Sequence, residues 1–145
     1  TSHDSPGSVC YRVDTPDGHS VGICTDLGYV SPMILEMMAG ADHLLIESNY
    51  DEDMLQNGPY PYMLKKRISS KMGHLSNSQC AEMIGRMIAS GTRSFSLGHL
   101  SEHNNLPELA FDTSTGYLSL LGLTEGKDYR LNVLPKVNHG EAVML

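Results

Sequence analysis

The sequence predicts a layered α/β fold, and three observations carry that prediction. Short β-branched and apolar segments alternate along the chain with segments of helical periodicity. Cys80, Met83, Ile84, Met87 and Ile88 recur at i, i+3, i+4, i+7 and i+8, the apolar stripe of a helix packed on a core. The segments are separated by turn and cap chemistry: Pro16-Asp17-Gly18, Ser31-Pro32, Gly40, Gly73 and the Ser76/Gln79 pair. At 145 residues the chain has the length of about one domain. No repeat, linker or shift in composition divides it.

Each element has a local reason. Val9 to Val13 and Val21 to Cys24 flank the Pro-Asp-Gly turn and read as a β-hairpin. Ser31 caps a helix that has Pro32 in its first turn, runs to Met38 and stops at Gly40. His43 to Glu47 is a short buried strand with a carboxylate at its end. Asn49 to Pro61, acidic and polar with Gly58-Pro59 and Pro61, is expected to be an irregular loop. Tyr62 to Lys71 has helical spacing and a basic face, and Gly73 ends it. Ser76 and Gln79 have capping-box spacing at the start of the striped helix. Arg93 to Leu97 returns to strand composition. Asn105 and Glu108 then have capping spacing before a helix from Leu106 to about Leu121, and Tyr129 to Leu134 is the last strand.

Composition limits the partners. Ten Lys and Arg against seventeen Asp and Glu give a formal charge of −7, so the chain as a whole repels a polyphosphate and any nucleic-acid contact must be local. Tyr60, Tyr62, Lys65, Lys66, Arg67 and Lys71 form the one basic and aromatic concentration. Tyr62, Lys65, Lys66 and Arg67 are candidate substrate contacts that could follow a nucleic-acid backbone; a solvated helix face is the alternative. Apolar runs such as Leu118 to Leu123 are far shorter than the roughly 20 residues of a membrane span. Cys10, Cys24 and Cys80 are odd in number and lack C-x-x-C spacing, which argues against a disulfide framework or a zinc knuckle. They read as core residues, and the expected location is a reducing cytoplasm. The chain opens on Thr1-Ser2-His3-Asp4 without an initiator Met or a secretory pattern, so it is expected to be part of a longer protein.

Candidate chemistry gathers by position. His3, Asp26, Glu47, His74 and His99 each fall at the end of an expected strand or in a short loop beside Gly, where sites collect in layered α/β folds. Imidazole and carboxylate are the groups that hold zinc or manganese. His19, His43 and His139 fit structural roles.

The succession His3-Asp4-x5-Cys10-Tyr11-Arg12-Val13, Thr25-Asp26-Leu27-Gly28, Leu45-Ile46-Glu47-Ser48-Asn49, Gly73-His74-Leu75-Ser76-Asn77 and Leu97-Gly98-His99-Leu100-Ser101 resembles the C-terminal half of metallo-β-lactamase-fold hydrolases. It is similar in particular to the YycJ (VicX, WalJ) group, which is related to the ribonuclease Z type nucleases. The resemblance implies half of an αββα sandwich, occupying residues 1–145. It implies two divalent ions, zinc or manganese with iron as a further candidate. His3 and His99 would each ligate one ion, and Asp26 would bridge the two. It also implies that His74, oriented by Glu47, donates a proton to the leaving oxygen. The family's remaining ligands lie in an upstream H-x-H-x-D-H motif that this sequence lacks. The implied partner is therefore the upstream half of the same domain, with a homo-oligomer as the other way to cover an open sheet. The implied activity of the intact protein is metal-dependent phosphodiester hydrolysis, narrowing to a 5′-to-3′ exonuclease on DNA. Hydrolysis of a small ester, thioester or lactone, and an inactive half-domain, are the alternatives.

Overall fold

A computed structural model of the chain describes residues 2–5 and 8–135. Its elements are β1 (Tyr11–Asp14), β2 (Ser20–Cys24), α1 (Pro32–Met38), β3 (His43–Glu47), α2 (Glu52–Asn57), α3 (Tyr62–Ile68), α4 (Asn77–Ala89), β4 (Ser94–Gly98), α5 (Pro107–Leu120) and β5 (Arg130–Val133). The five strands form one sheet in sequence order. β1 and β2 are the expected hairpin, and β2 through β5 run parallel. Parallel neighbours need crossovers, and α1, the α2 to α4 segment and α5 supply them.

Strand alternation places Gly22, Cys24, Leu44, Ile46, Phe95, Leu97, Leu131 and Val133 on one face. Ile34 and Met38 of α1, the α4 stripe, and Ala110 and Leu118 of α5 pack with that face into the main core. The α4 stripe is buried as its spacing predicts, and the Ser76/Gln79 capping box is formed. On the opposite face Val21, Ile23 and Leu45 are partly exposed, while Tyr11 and Val13 are 59% and 55% exposed. The same face carries a polar chain. His43 Nδ1 lies 2.8 Å from Ser94 Oγ and its Nε2 3.0 Å from Ser96 Oγ, which donates to Asn132 Oδ1. His43 is thus structural, and His19 is an exposed partner of Asp42. His139 lies outside the described residues.

Three expectations are corrected. The segment from Asn49 to Pro61 is not an irregular loop, because Asp51 accepts the Met54 amide as an N-cap and opens α2. Glu52 and Asp53 favour the positive end of that helix, and Leu55 is buried with Tyr50 and Ile68 in a second small core. α3 ends at Ile68 rather than Lys71, as the Ser69 and Ser70 hydroxyls bond back to the Lys65 and Arg67 carbonyls. Asn105 is not the N-cap of α5. That position is Leu106, and the Asn105 side chain instead binds the Ser48 carbonyl and the Asn77 amide, besides accepting the Leu106 N–H.

Candidate metal centre

The site lies where the parallel strands end. β2 runs into Asp26, β3 ends on Glu47, and β4 is followed at once by His99. Asp26 and His99 both adopt a left-handed backbone at φ 55°, unusual for residues with a Cβ and least costly where a polar side chain and fixed neighbours support it. Asn49 Nδ2 donates to the His99 carbonyl at 2.8 Å and helps to fix that turn. His74 comes from the link between α3 and α4, where Gly73 passes so close to the Ile68 carbonyl that a Cβ there would collide with it. His3 arrives on the N-terminal segment. Ser2 Oγ accepts the Gly28 and Tyr29 amides, and Asp4 takes an Arg67 guanidinium nitrogen at 2.8 Å. The residues flanking His3 thus fasten it to both neighbouring loops.

Glu47 is the hub. It has no exposed surface, and each carboxylate oxygen takes one backbone amide: Leu75 to Oε1 at 3.0 Å and Leu27 to Oε2 at 3.1 Å. His74 Nδ1 lies 3.0 Å from Oε1 and His99 Nδ1 3.3 Å from Oε2. Burial pushes the Glu47 carboxyl up, but the His74 and His99 imidazoles set against its oxygens outweigh it and hold the group below the usual glutamate value. The hydrogen bond to Glu47 in turn raises the His99 imidazole above its ordinary value, against the opposing effect of desolvation.

Above this hub, Asp26 Oδ1 stands 3.6 Å from His3 Nε2, 3.7 Å from His74 Nδ1 and 3.9 Å from His99 Nδ1. His3 Nε2 and His74 Nε2 face each other at 3.4 Å. Asp26, Glu47, His74 and His99 each offer a donor atom within 4.8 Å of the others, and His3 stands at the rim of that group. The donor set suits a divalent metal ion. Two ring nitrogens turned toward each other and a carboxylate oxygen require a proton or a cation between them, and imidazole with carboxylate is the pairing that binds borderline divalent metals. The buried His74 Nδ1 agrees, for it lies near Glu47 without an aligned hydrogen bond.

The structure therefore brings together all five residues singled out as ligands or as the acid–base pair. The candidate substrate contacts are divided. Tyr62, Lys65 and Lys66 line an open cavity of about 310 Å³ beside α2 and α3, where Lys65 also donates to the Gln56 carbonyl, whereas Arg67 is held by Asp4. What sequence reasoning missed is the framework. The Leu27 and Leu75 amides leave no residue signature, and the buried Ser48, Asn77 and Asn105 network shows in sequence only as polar residues next to the motifs.

Residues 2–97 match the model of the Beta-lactamase superfamily domain, and the chain belongs to that superfamily, in its metallo-β-lactamase-fold branch. It is 40% identical over 130 residues to the "Exodeoxyribonuclease WalJ" of Streptococcus pneumoniae, covering 90% of this chain and 48% of the relative. It is 33% identical over 131 residues to the "Exodeoxyribonuclease YycJ" of Bacillus anthracis, covering 90% of this chain and 49% of the relative. The chain spans about half the length of the curated relatives it matches. Among solved structures, zinc-bound PqqB from Methylobacterium extorquens is 14% identical with a TM-score of 0.47, over 85% of this chain and 37% of that one. Among the described residues no helix is long and apolar enough to cross a membrane.

Proposed function

We propose that this chain is the C-terminal half of a metallo-β-lactamase-fold domain, and that the whole domain is a metal-dependent phosphodiesterase acting as a 5′-to-3′ exonuclease on DNA. The observation that carries the reading is the convergence of His3, Asp26, His74 and His99 above one buried carboxylate. The names of the relatives, both exodeoxyribonucleases, supply the substrate class. His3, Asp26 and His99 would hold divalent ions, zinc, manganese or iron. Two such ions, when bound, activate a water and neutralise a scissile phosphate.

The remaining chemistry belongs to the chain. His3 Nδ1 accepts the Ser5 amide at 3.0 Å and has Asp4 Oδ1 at 3.4 Å. In the neutral ring the proton then sits on Nε2, toward Asp26 and His74. As a ligand through Nε2, His3 would carry its proton on Nδ1 instead, giving up the Ser5 amide for a hydrogen bond to Asp4. Glu47 takes no share of an ion in this reading, since its oxygens are occupied by amides and imidazoles. It orients His74, whose imidazole can then donate a proton to the leaving oxygen. Of the candidate substrate contacts, Lys66 and Tyr62 on the rim of their cavity would meet a strand of DNA.

The open face of the sheet, with Tyr11, Val13, Val21, Ile23 and Leu45, is where the upstream half of the domain would pack; a second copy of the chain is the alternative occupant. The test is end-labelled DNA digestion by the chain joined to its upstream half. Asp26→Asn and His99→Ala should abolish activity together with bound metal. His74→Ala should slow turnover, by about 10²–10⁴-fold for a general acid, with metal retained. Full activity in these variants overturns the reading.

A further inference from the structure

We propose that Cys10 and Cys24 form a two-thiol redox site that closes to a reversible intramolecular disulfide when a peroxide reaches it. β1 and β2 pair antiparallel with Tyr11 opposite Ile23, and the same register carried one residue further sets Cys10 opposite Cys24. Directly opposed residues of an antiparallel pair have Cα atoms about 4.5–5.5 Å apart, inside the span a disulfide bridges. Both side chains lie on the helix-covered face, Cys24 within the core and Cys10 packed against it, and their thiols are within hydrogen-bonding reach of each other.

The two differ in access. Cys24 is fully buried, but Cys10 is only partly so and lines a surface pocket of about 250 Å³ with Ser2, Tyr29 and Met33. Cys10 is therefore the sulfur an oxidant meets first. The step balances with hydrogen peroxide as the oxidant. The Cys10 thiolate attacks one peroxide oxygen and leaves as sulfenic acid while hydroxide departs. Cys24 sulfur then displaces the second hydroxide, which takes the Cys24 proton, so two thiols and one peroxide give a disulfide and two waters. Cys80, completely buried in α4, is shielded from the oxidant. Such a pair is consistent with a reducing compartment, where disulfides are transient and responsive rather than structural.

The experiment is mass mapping of the folded chain after mild peroxide treatment and alkylation, under non-reducing conditions. Cleavage after Arg12, Lys65, Lys71 and Arg86 puts the three cysteines in different peptides, residues 1–12, 13–65 and 72–86. The expected product joins the first two with the loss of two hydrogens, is reversed by dithiothreitol, and leaves Cys80 alkylated. A urea-unfolded sample should instead scramble, linking Cys80 as well. Cys10→Ser should leave Cys24 reduced under the same dose. Accumulation of Cys10 as sulfinic acid or as an interchain dimer with Cys24 still alkylated, or identical patterns from folded and unfolded samples, would overturn the proposal. The unsubstituted chain decides the matter even if a variant fails to fold.

Discussion

Glu47 combines full burial with a charge, and its cost is met by four neighbours. Leu27 and Leu75 donate backbone N–H groups and two imidazoles approach its oxygens. Glu47→Gln keeps the shape but turns an NH2 toward one of those amides, setting donor against donor. Stability should fall by about 1–3 kcal/mol, the penalty for a buried group left unsatisfied, read from urea unfolding of the metal-free chain. The pH dependence follows from the direction of each shift. Glu47 titrates below its unfolded value when folded, so its contribution is present above the unfolded value and is lost as pH falls through the folded one. His99 titrates above its unfolded value, so its contribution is present below the ordinary imidazole value and is lost as pH rises through the raised one. Proton NMR of the imidazole signals in the metal-free chain should show His99 titrating high. In Glu47→Gln that value should fall back toward the ordinary one, and an unchanged titration would show that Glu47 is not its cause.

Elements differ in how far their residues announce them. α4 was legible because stripe, cap and reciprocal Gln79 agree. Ser76→Ala should cost about 1 kcal/mol in global unfolding. α2 was hidden because Gly58, Pro59 and Pro61 outweigh, in a reading of composition, the single cap at Asp51 that starts a helix of six residues. Asp51→Ala should therefore act locally, speeding hydrogen exchange at the Met54 amide before it shifts the global midpoint. The same distinction holds within the site. Asp26, His74 and His99 were legible because side-chain chemistry beside Gly at strand ends is visible in sequence. The amides that orient Glu47 were not, since every non-proline residue carries one and only the fold decides which are aimed. Asn105 shows the opposite failure: correct cap spacing, overridden by a buried network with Ser48 and Asn77.

The described residues form a sheet clothed on one face, with the candidate ligands gathered where its parallel strands end. Five residues spread over most of the described chain meet there, which ties the site to folding rather than to any one loop. A metal that binds the folded chain and not the unfolded one must raise its melting temperature. An ion at a hundred times its dissociation constant adds about 2.7 kcal/mol. Thermal melts with added zinc or manganese should rise for this chain and not for Asp26→Asn, and a rise in both would place the ion elsewhere. The one-sided architecture also explains what composition could not reveal. Tyr11, Val13, Val21, Ile23 and Leu45 read as ordinary strand residues, and only strand register shows that they share an open face.

The two amides that grip Glu47 belong to the main chain, so the hub tolerates mutation unevenly. Any substitution at 27 or 75 that keeps an N–H keeps the grip, and replacements there are filtered by the size and greasiness of the core alone. Proline removes the donor while leaving the position apolar. In a library randomised at both positions, proline should therefore be depleted well beyond what its bulk predicts, while Glu47 itself admits almost nothing else. The carboxylate is held fixed by its chemistry, and its two anchors by the path of the backbone.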